Sequence, residues 1–458
     1  MKFSIILSTL ILATVAAQGS SFERDGDMPS LPSTGSMTLQ ECLDYAAAHN
    51  LTVRQQQIAM DRAEVDIYAS QGQLQPSLSF NTNQGLSWRP WSQNYVNVSN
   101  GTMTQTSSEL NYNGTYGLSA QWDVWNGGRS YKQVKRDKTA LKQAEANAEA
   151  SSLNIQEQIV EAYVRIIYQN EAVRINKEIL ESTRTQLQRT EEMVKVGDMA
   201  RADLAQMQAQ VSQCEYNVTN SETQLASYKL NLKQLLQIID SEPFNIVVPD
   251  VNEAEITMPL PGTDEIYTVA LQRRPEVKAA GIGIELAKID IDLAKRQRYP
   301  TIGLSAGINT SNTSGMDQKF YTQWKTNLSN SIGLNLSVPI FDKRATSAAI
   351  KRARLSEQEA ELSMLQTKTD LFNTIEQHRL DAVNAREQYL YAKSNVNAMQ
   401  ESYTLVSEQF DVGLKDVVDL TTSRNNLVQA TQQLLQAKYT ALLNRALLNF
   451  YEGQPIKL

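Results

Sequence analysis

Ile159, Ile166, Val173, Leu180, Leu187 and Val194 fall at every seventh position of the chain. That spacing keeps one apolar seam along the side of a helix packed in a coiled coil. Tyr389, Val396, Tyr403 and Phe410 repeat it, with Ala392, Met399 and Val406 on the alternate seam positions. The two series are displaced by 216 residues, since 389 − 173 and 410 − 194 agree, and the pairs Val196-Gly197 and Val412-Gly413 obey the same offset. An internal duplication is therefore written into the chain. Each repeat predicts a coiled-coil helical hairpin, one over residues 129–239 with its tip at 196–200 and one over 343–450 with its tip at 412–416. At 1.5 Å per residue, a helix from Arg129 to Val194 would run roughly 100 Å. Gly197 and Gly413 supply the stop at each tip, and Asp203 and Asp419 sit in the first turn of each returning helix, where a carboxylate meets unsatisfied N–H groups.

Ahead of each hairpin the period changes to two. Leu78, Phe80, Leu86 and Trp88 alternate with Ser79, Asn81, Asn83, Gly85 and Ser87, and Tyr116, Leu118, Ala120, Trp122 and Val124 alternate with Gly117, Ser119, Gln121 and Asp123. In the second repeat Ile302, Leu304, Ala306 and Ile308 alternate with Gly303, Ser305 and Gly307. Later, Ile332, Leu334, Leu336, Val338 and Ile340 alternate with Gly333, Asn335 and Ser337. These runs predict β-hairpins over 76–125 and 300–341, with one apolar face and one of small or polar residues, as in a membrane barrel. Trp88, Trp91, Tyr95, Tyr321 and Trp324 fall where an aromatic girdle would sit, and the polar stretches Ser92 to Glu109 and Asn309 to Asn327 read as exposed loops. A soluble sandwich face alternates in the same way. Four strands cannot close a barrel alone, because a small one needs about eight and an open edge is forbidden in lipid. If these strands enter a membrane, several chains must contribute.

The remaining segments complete the organisation: a signal peptide over 1–17, an extended segment over 18–36, helices over 38–73, a linker over 241–262, a helix over 263–298 and a tail over 453–458. The leader has one lysine, an apolar core from Phe3 to Val15 and small residues at Ala16 and Ala17, so it predicts export rather than a lasting span. Net charge is −7 without a basic tail, which argues against nucleic acid as a partner. Cys42 and Cys214 are the only cysteines, which excludes a disulfide framework and leaves a single bridge open. The G-x-S-x-G run at 303–307 matches a nucleophile elbow, yet polar loop residues follow it instead of a helix, and only His49 and His378 exist as bases. Neither an enzyme nor a metal or cofactor site is expected.

Taken in order, MTLQECLDYAAAHN at 37–50, QPSLSF at 75–80, YGLSAQWDVWNGGRSYKQVKRDK at 116–138, RRPEVKAA at 273–280, RYPTIGLSAG at 298–307, IGLNLSVPIFDKR at 332–344 and EQFDVGLKDVVDLTTSRNNLVQA at 408–430 resemble the outer membrane efflux protein family, the TolC-like channels. The resemblance implies a mainly α protein with membrane β, made of two tandem repeats. It implies a homotrimer whose chains share one twelve-stranded β-barrel, continued by a periplasmic α-helical barrel. It further implies a passive exit duct in the outer membrane and its lipid, serving a tripartite efflux or type I secretion system, with a periplasmic adaptor and an inner-membrane transporter as partners. A secreted coiled-coil adhesin or structural fibre is the alternative from another class. It would explain the heptads and the leader but neither the paired strands nor the duplication.

The same resemblance implies functional residues at the tips. Val196, Gly197, Val412, Gly413 and Leu414 would contact the adaptor, although the first tip, Val196-Gly197-Asp198-Met199, lacks the leucine that follows the glycine in the Val-Gly-Leu form of the second. Asp419, Asp416, Lys415, Phe410 and Thr422 would form a periplasmic gate, with Thr422 standing where the family often has a second aspartate. Plain helix capping remains open for Asp419, and plain core packing for Phe410.

Overall fold

In the computed structural model the described residues are 36–88, 95–99, 102–106, 110–239, 244–249, 253–314, 318–454 and 456. The signal peptide, nearly all of the 18–36 segment, and Trp91 lie outside them. A short strand, β1 (Ser36–Met37), leads into α1 (Leu39–His49), whose start is capped reciprocally by Thr38 and Glu41. Asn50 ends α1 and caps α2 (Leu51–Gly72) by accepting from the amides of Thr52 and Val53, so the chain bends there.

Next come β2 (Ser77–Trp88), β3 (Tyr95–Ser99), β4 (Thr102–Thr106) and β5 (Leu110–Trp125). Strands β3 and β4 pair as an antiparallel ribbon, so the connection expected as a plain loop over 92–109 carries structure. Val96, Val98, Thr102, Thr104 and Thr106 give it β-branched residues at alternate positions. Helices α3 (Arg129–Val196) and α4 (Arg201–Leu236) form the first hairpin, followed by β6 (Asn245–Ile246), which pairs in parallel with β1, and by α5 (Glu253–Thr257).

The helix expected over 263–298 is two, α6 (Thr263–Arg273) and α7 (Pro275–Arg296), because Pro275 lacks an N–H and can only open a helix. Strand β7 (Thr301–Thr313), the short helix α8 (Phe320–Thr326) and β8 (Ser329–Ser337) follow. Val338 and Ile340, expected within that last strand, lie beyond its end, since β7 starts opposite Ser337 and the other side of β8 is an open edge. Helices α9 (Ala345–Asp411) and α10 (Val417–Tyr451) make the second hairpin.

The four long strands form one antiparallel sheet in the order β2-β5-β7-β8. Registers place Phe80 opposite Leu118, Leu118 opposite Ile308, and Ala306 opposite Ile332, so the apolar alternations of all four strands share one face. Leu78, Phe80, Ile332, Leu334 and Leu336 stand exposed on it. The other face carries serine, asparagine, threonine and glycine, and Asp123 is the only charged residue in the four strands.

Below the sheet, α2, α3, α7 and α9 lie side by side in the same order as the strands they continue. Each strand-to-helix joint uses two left-handed residues, Gly127 and Gly128 (φ 69° and 72°) in the first repeat, Lys343 and Arg344 (52° and 67°) in the second. Only the first joint could not carry side chains at all, because a Cβ on Gly127 would lie 2.7 Å from Tyr299 Cβ. Where α1, α3, α4 and α10 meet, Cys42, Ile159, Tyr163, Ile166, Leu232, Leu236 and Phe450 form the largest buried cluster, each large side chain there contributing about 1.5–3 kcal/mol.

Candidate gate at the helical tips

At the first tip α3 stops at Gly197, whose φ of 90° only glycine adopts easily, and the amide of Asp198 bonds back to Met193 O at 2.9 Å. The second tip does the same: Gly413 has φ 76° and Leu414 N–H reaches Gln409 O at 2.8 Å. These wrapped ends satisfy carbonyls the helices would otherwise leave bare. They also push Val196, Val412 and Leu414 outward, where each is about three-quarters exposed (74, 69 and 76%).

Behind the glycines the two hairpins touch. Phe410 is 1% exposed and packs with Met207 of α4 and Val417 and Leu420 of α10, while Met199 from the first turn, Leu187, Tyr403 and Val406 close around them. Asp416 Oδ1 accepts from Asp419 N–H at 2.8 Å, capping α10. Lys415 Nζ lies 2.9 Å from Asp419 Oδ2, and that hydrogen-bonded carboxylate raises the lysine pKa. Thr422 is exposed one turn further on. Of the five gate residues expected from the sequence, four are thus gathered at one tip: Phe410 as core, Asp416 as cap, and Lys415 and Asp419 as an ion pair.

A second set of contacts, unread in the sequence, ties hairpin to hairpin. Arg189 of α3 donates from Nη1 to both oxygens of Asp411, at 3.0 and 3.1 Å. Gln186 Nε2 donates to Tyr403 Oη at 3.0 Å. Arg424 of α10, 3% exposed, donates from Nη1 to Thr183 Oγ1 at 2.7 Å and to Gln186 Oε1 at 3.5 Å, while its Nε and Nη2 have no partner. Burial lowers its pKa, yet a guanidinium keeps its proton in a protein. The signal was present: Val417, Leu420, Arg424 and Leu427 step along one seam, and a charge in that series has to be buried.

Higher up, α5 clasps the second hairpin. Glu253 accepts from Tyr389 Oη (2.7 Å), Lys438 Nζ (2.9 Å) and Lys393 Nζ (3.1 Å), and these bonds hold its pKa at about 2. Cys42 and Cys214 are both buried and unpaired. Among the described residues, no group of three or more His, Cys, Asp or Glu side chains could hold a metal ion, and no helix is long and apolar enough to cross a membrane.

The sequence matches the outer membrane efflux protein family over residues 42–236 and 266–454, one stretch per repeat. This chain belongs to that family. It is 23% identical to the outer membrane efflux protein BepC of Brucella suis over 366 residues, covering 79% of this chain and 76% of BepC. Against Escherichia coli TolC it is 26% identical over 298 residues, 62% of this chain and 58% of TolC, so that match spans under two thirds of the relative. The fold is similar to the Campylobacter jejuni CmeC outer membrane channel, with a TM-score of 0.75 at 19% identity over 92% of this chain and 87% of CmeC, and to CusC, with a TM-score of 0.76 at 16% identity over 91% and 92%. The efflux-family fold thus accounts for both repeats: an outer-membrane channel whose helices reach into the periplasm. Family members are passive channels, and the fibre alternative is not favoured.

Proposed function

We propose that this chain is one third of an outer-membrane exit duct that passively conducts substrates delivered by an inner-membrane pump through a periplasmic adaptor. The observation that carries the reading is the match of lateral order between sheet and helices. Strands β2-β5-β7-β8 sit above α2, α3, α7 and α9 as one wall with a free edge on each side. An unpaired strand edge is not tolerated in lipid, so copies must join edge to edge until the wall closes. The exposed apolar face then meets lipid and the neutral polar face lines the bore.

In this reading the tips form the periplasmic end. The exposed Val196, Val412 and Leu414 around Gly197 and Gly413 are the surface offered to the adaptor. Phe410, Lys415, Asp416, Asp419 and Thr422, with the Arg189–Asp411 tie, set how readily that end opens. The deciding experiment is native mass measurement in detergent with planar-bilayer recording. A particle of three chain masses that conducts is expected, and a monodisperse, non-conducting monomer would overturn the duct. In the same recordings Asp419→Ala should raise conductance more than Asp203→Ala. Equal effects would leave Asp419 as a helix-start carboxylate only.

A further inference from the structure

The wall's outer edges carry a specific partner requirement that the duplication makes readable. Beyond the 216-residue offset of the strand-and-hairpin segments, α7 and β7 repeat α2 and β2 at an offset of 224, which superposes Val53 on Val277, Asp66 on Asp290 and Pro76 on Pro300. Within the chain, α3 of the first repeat packs on α7 of the second. By the two offsets, the equivalent neighbour of α9 is an α2, and the chain's own α2 lies at the opposite edge, packed on α3.

The residues at those two edges fit each other. At the internal seam Arg136 Nε bonds Asp290 Oδ1 at 2.6 Å and Lys132 Nζ bonds Asp292 Oδ2 at 3.1 Å. The first pair maps onto Arg352 and Asp66, both exposed and both without a hydrogen bond or ion pair among the described residues. The second maps onto Ala348 and Tyr68, so both charges of that pair are absent together and neither edge keeps a stray one. Burial follows the same rule. Thr139 and Ala146, covered by α7, are 5% and 2% exposed, whereas their equivalents Leu355 and Leu362 are 58% and 66% exposed. Ile289, covered at 4%, corresponds to Val65 at 65%. Leucines left bare where the first repeat buries small residues call for a cover.

We infer that the cover is a second copy of this chain, with Arg352 of one copy paired to Asp66 of the next and Leu355 and Leu362 packed against Val65 and Ile58. Carried into the sheet, the β5–β7 register sets Leu336 of one copy opposite Thr82 of the next and Val338 opposite Phe80, which extends β8 past Ser337. The inference rests on the trimer reading above and names its contacts.

The test uses the full chain in detergent. Arg352→Cys combined with Asp66→Cys, treated with a short bis-maleimide, should give covalent dimers and trimers, while either cysteine alone gives none. Separately, Arg352→Asp or Asp66→Arg should each lower the trimer fraction about fivefold, and the double exchange should restore it. A trimer by native mass that neither cross-links nor recovers in the double exchange would overturn this pairing and leave the duct intact. Absence of any trimer in the unmodified protein would instead overturn the duct.

Discussion

At the first tip Ala200 precedes α4 with no side-chain cap, and Met199 turns into the apolar cluster. At the second, 216 residues on, Asp416 caps α10, and Lys415 in place of the methionine pairs with Asp419. The glycine turn and the helix-start aspartate are common to both. The polar clasp belongs to the second tip alone, as do Phe410, standing where the first repeat has Val194, and Arg424, standing where it has Gln208. Duplication thus supplied two hairpins with the same glycine stop, and divergence gave the second a cap, an ion pair and a buried arginine that the first lacks. Equal backbone geometry does not make equal contacts; the side chains facing the partner hairpin decide them.

The comparison breaks most visibly at Phe410. Removing its ring opens a cavity in a site with no accessible surface, so Phe410→Ala should cost about 3–5 kcal/mol and leave the end ajar, read as a large rise in conductance. Val194→Ala at the matching place should cost far less, because Val194 is only half-buried. Arg424→Met should act in the opposite sense. Nε and Nη2 of Arg424 are buried without a hydrogen-bond partner. An apolar side chain of similar length removes that penalty, so the tip should gain about 1–3 kcal/mol and conduct less often. A conductance rise in Arg424→Met would show that its bond to Thr183 outweighs the buried charge.

The cap offers a reciprocal pair. Asp416→Ala should lose about 1 kcal/mol and Ala200→Asp should gain about as much, measured as paired shifts in thermal midpoint. The smallest effect concerns pH. Glu253 ordinarily titrates near 4.5 and is held at about 2. Its folded pKa lies below the unfolded one, so the α5 clasp is fully present above 4.5 and lost as pH falls toward 2. The difference in thermal midpoint between wild type and Glu253→Gln should shrink over that window. With the carboxylate half exposed, solvent screening keeps the change small.

What the sequence disclosed was local or periodic. Ile159 through Val194 show the seam because every turn repeats it, and Gly197 and Gly413 show the stops because a left-handed residue is a property of one position. Alternation exposed all four long strands but not their ends: β8 stops at Ser337, and where Asn309 to Asn327 read as an exposed loop, β7 runs on to Thr313 and α8 occupies Phe320–Thr326, with Thr310, Asn312 and Gln323 buried. The break before Pro275 was signalled by an ordinary capping rule but lay inside a stretch that read as one helix. Arg189–Asp411, Gln186–Tyr403 and the Glu253 clasp could not be read this way. Each joins residues more than a hundred positions apart, and no single-segment pattern fixes which helix faces which.

The polar face of the sheet has a consequence for what can be sorted where. Three chains would give its bore a lining of amides, hydroxyls and glycines, with one carboxylate per chain, Asp123, as the only fixed charge of the long strands. Such a wall has almost no electrostatic preference for one sign of solute over the other. Ionic strength should therefore change transit through the membrane section little. Whatever discrimination by charge the molecule exercises falls to the helices below the sheet, which carry charged side chains along their whole length.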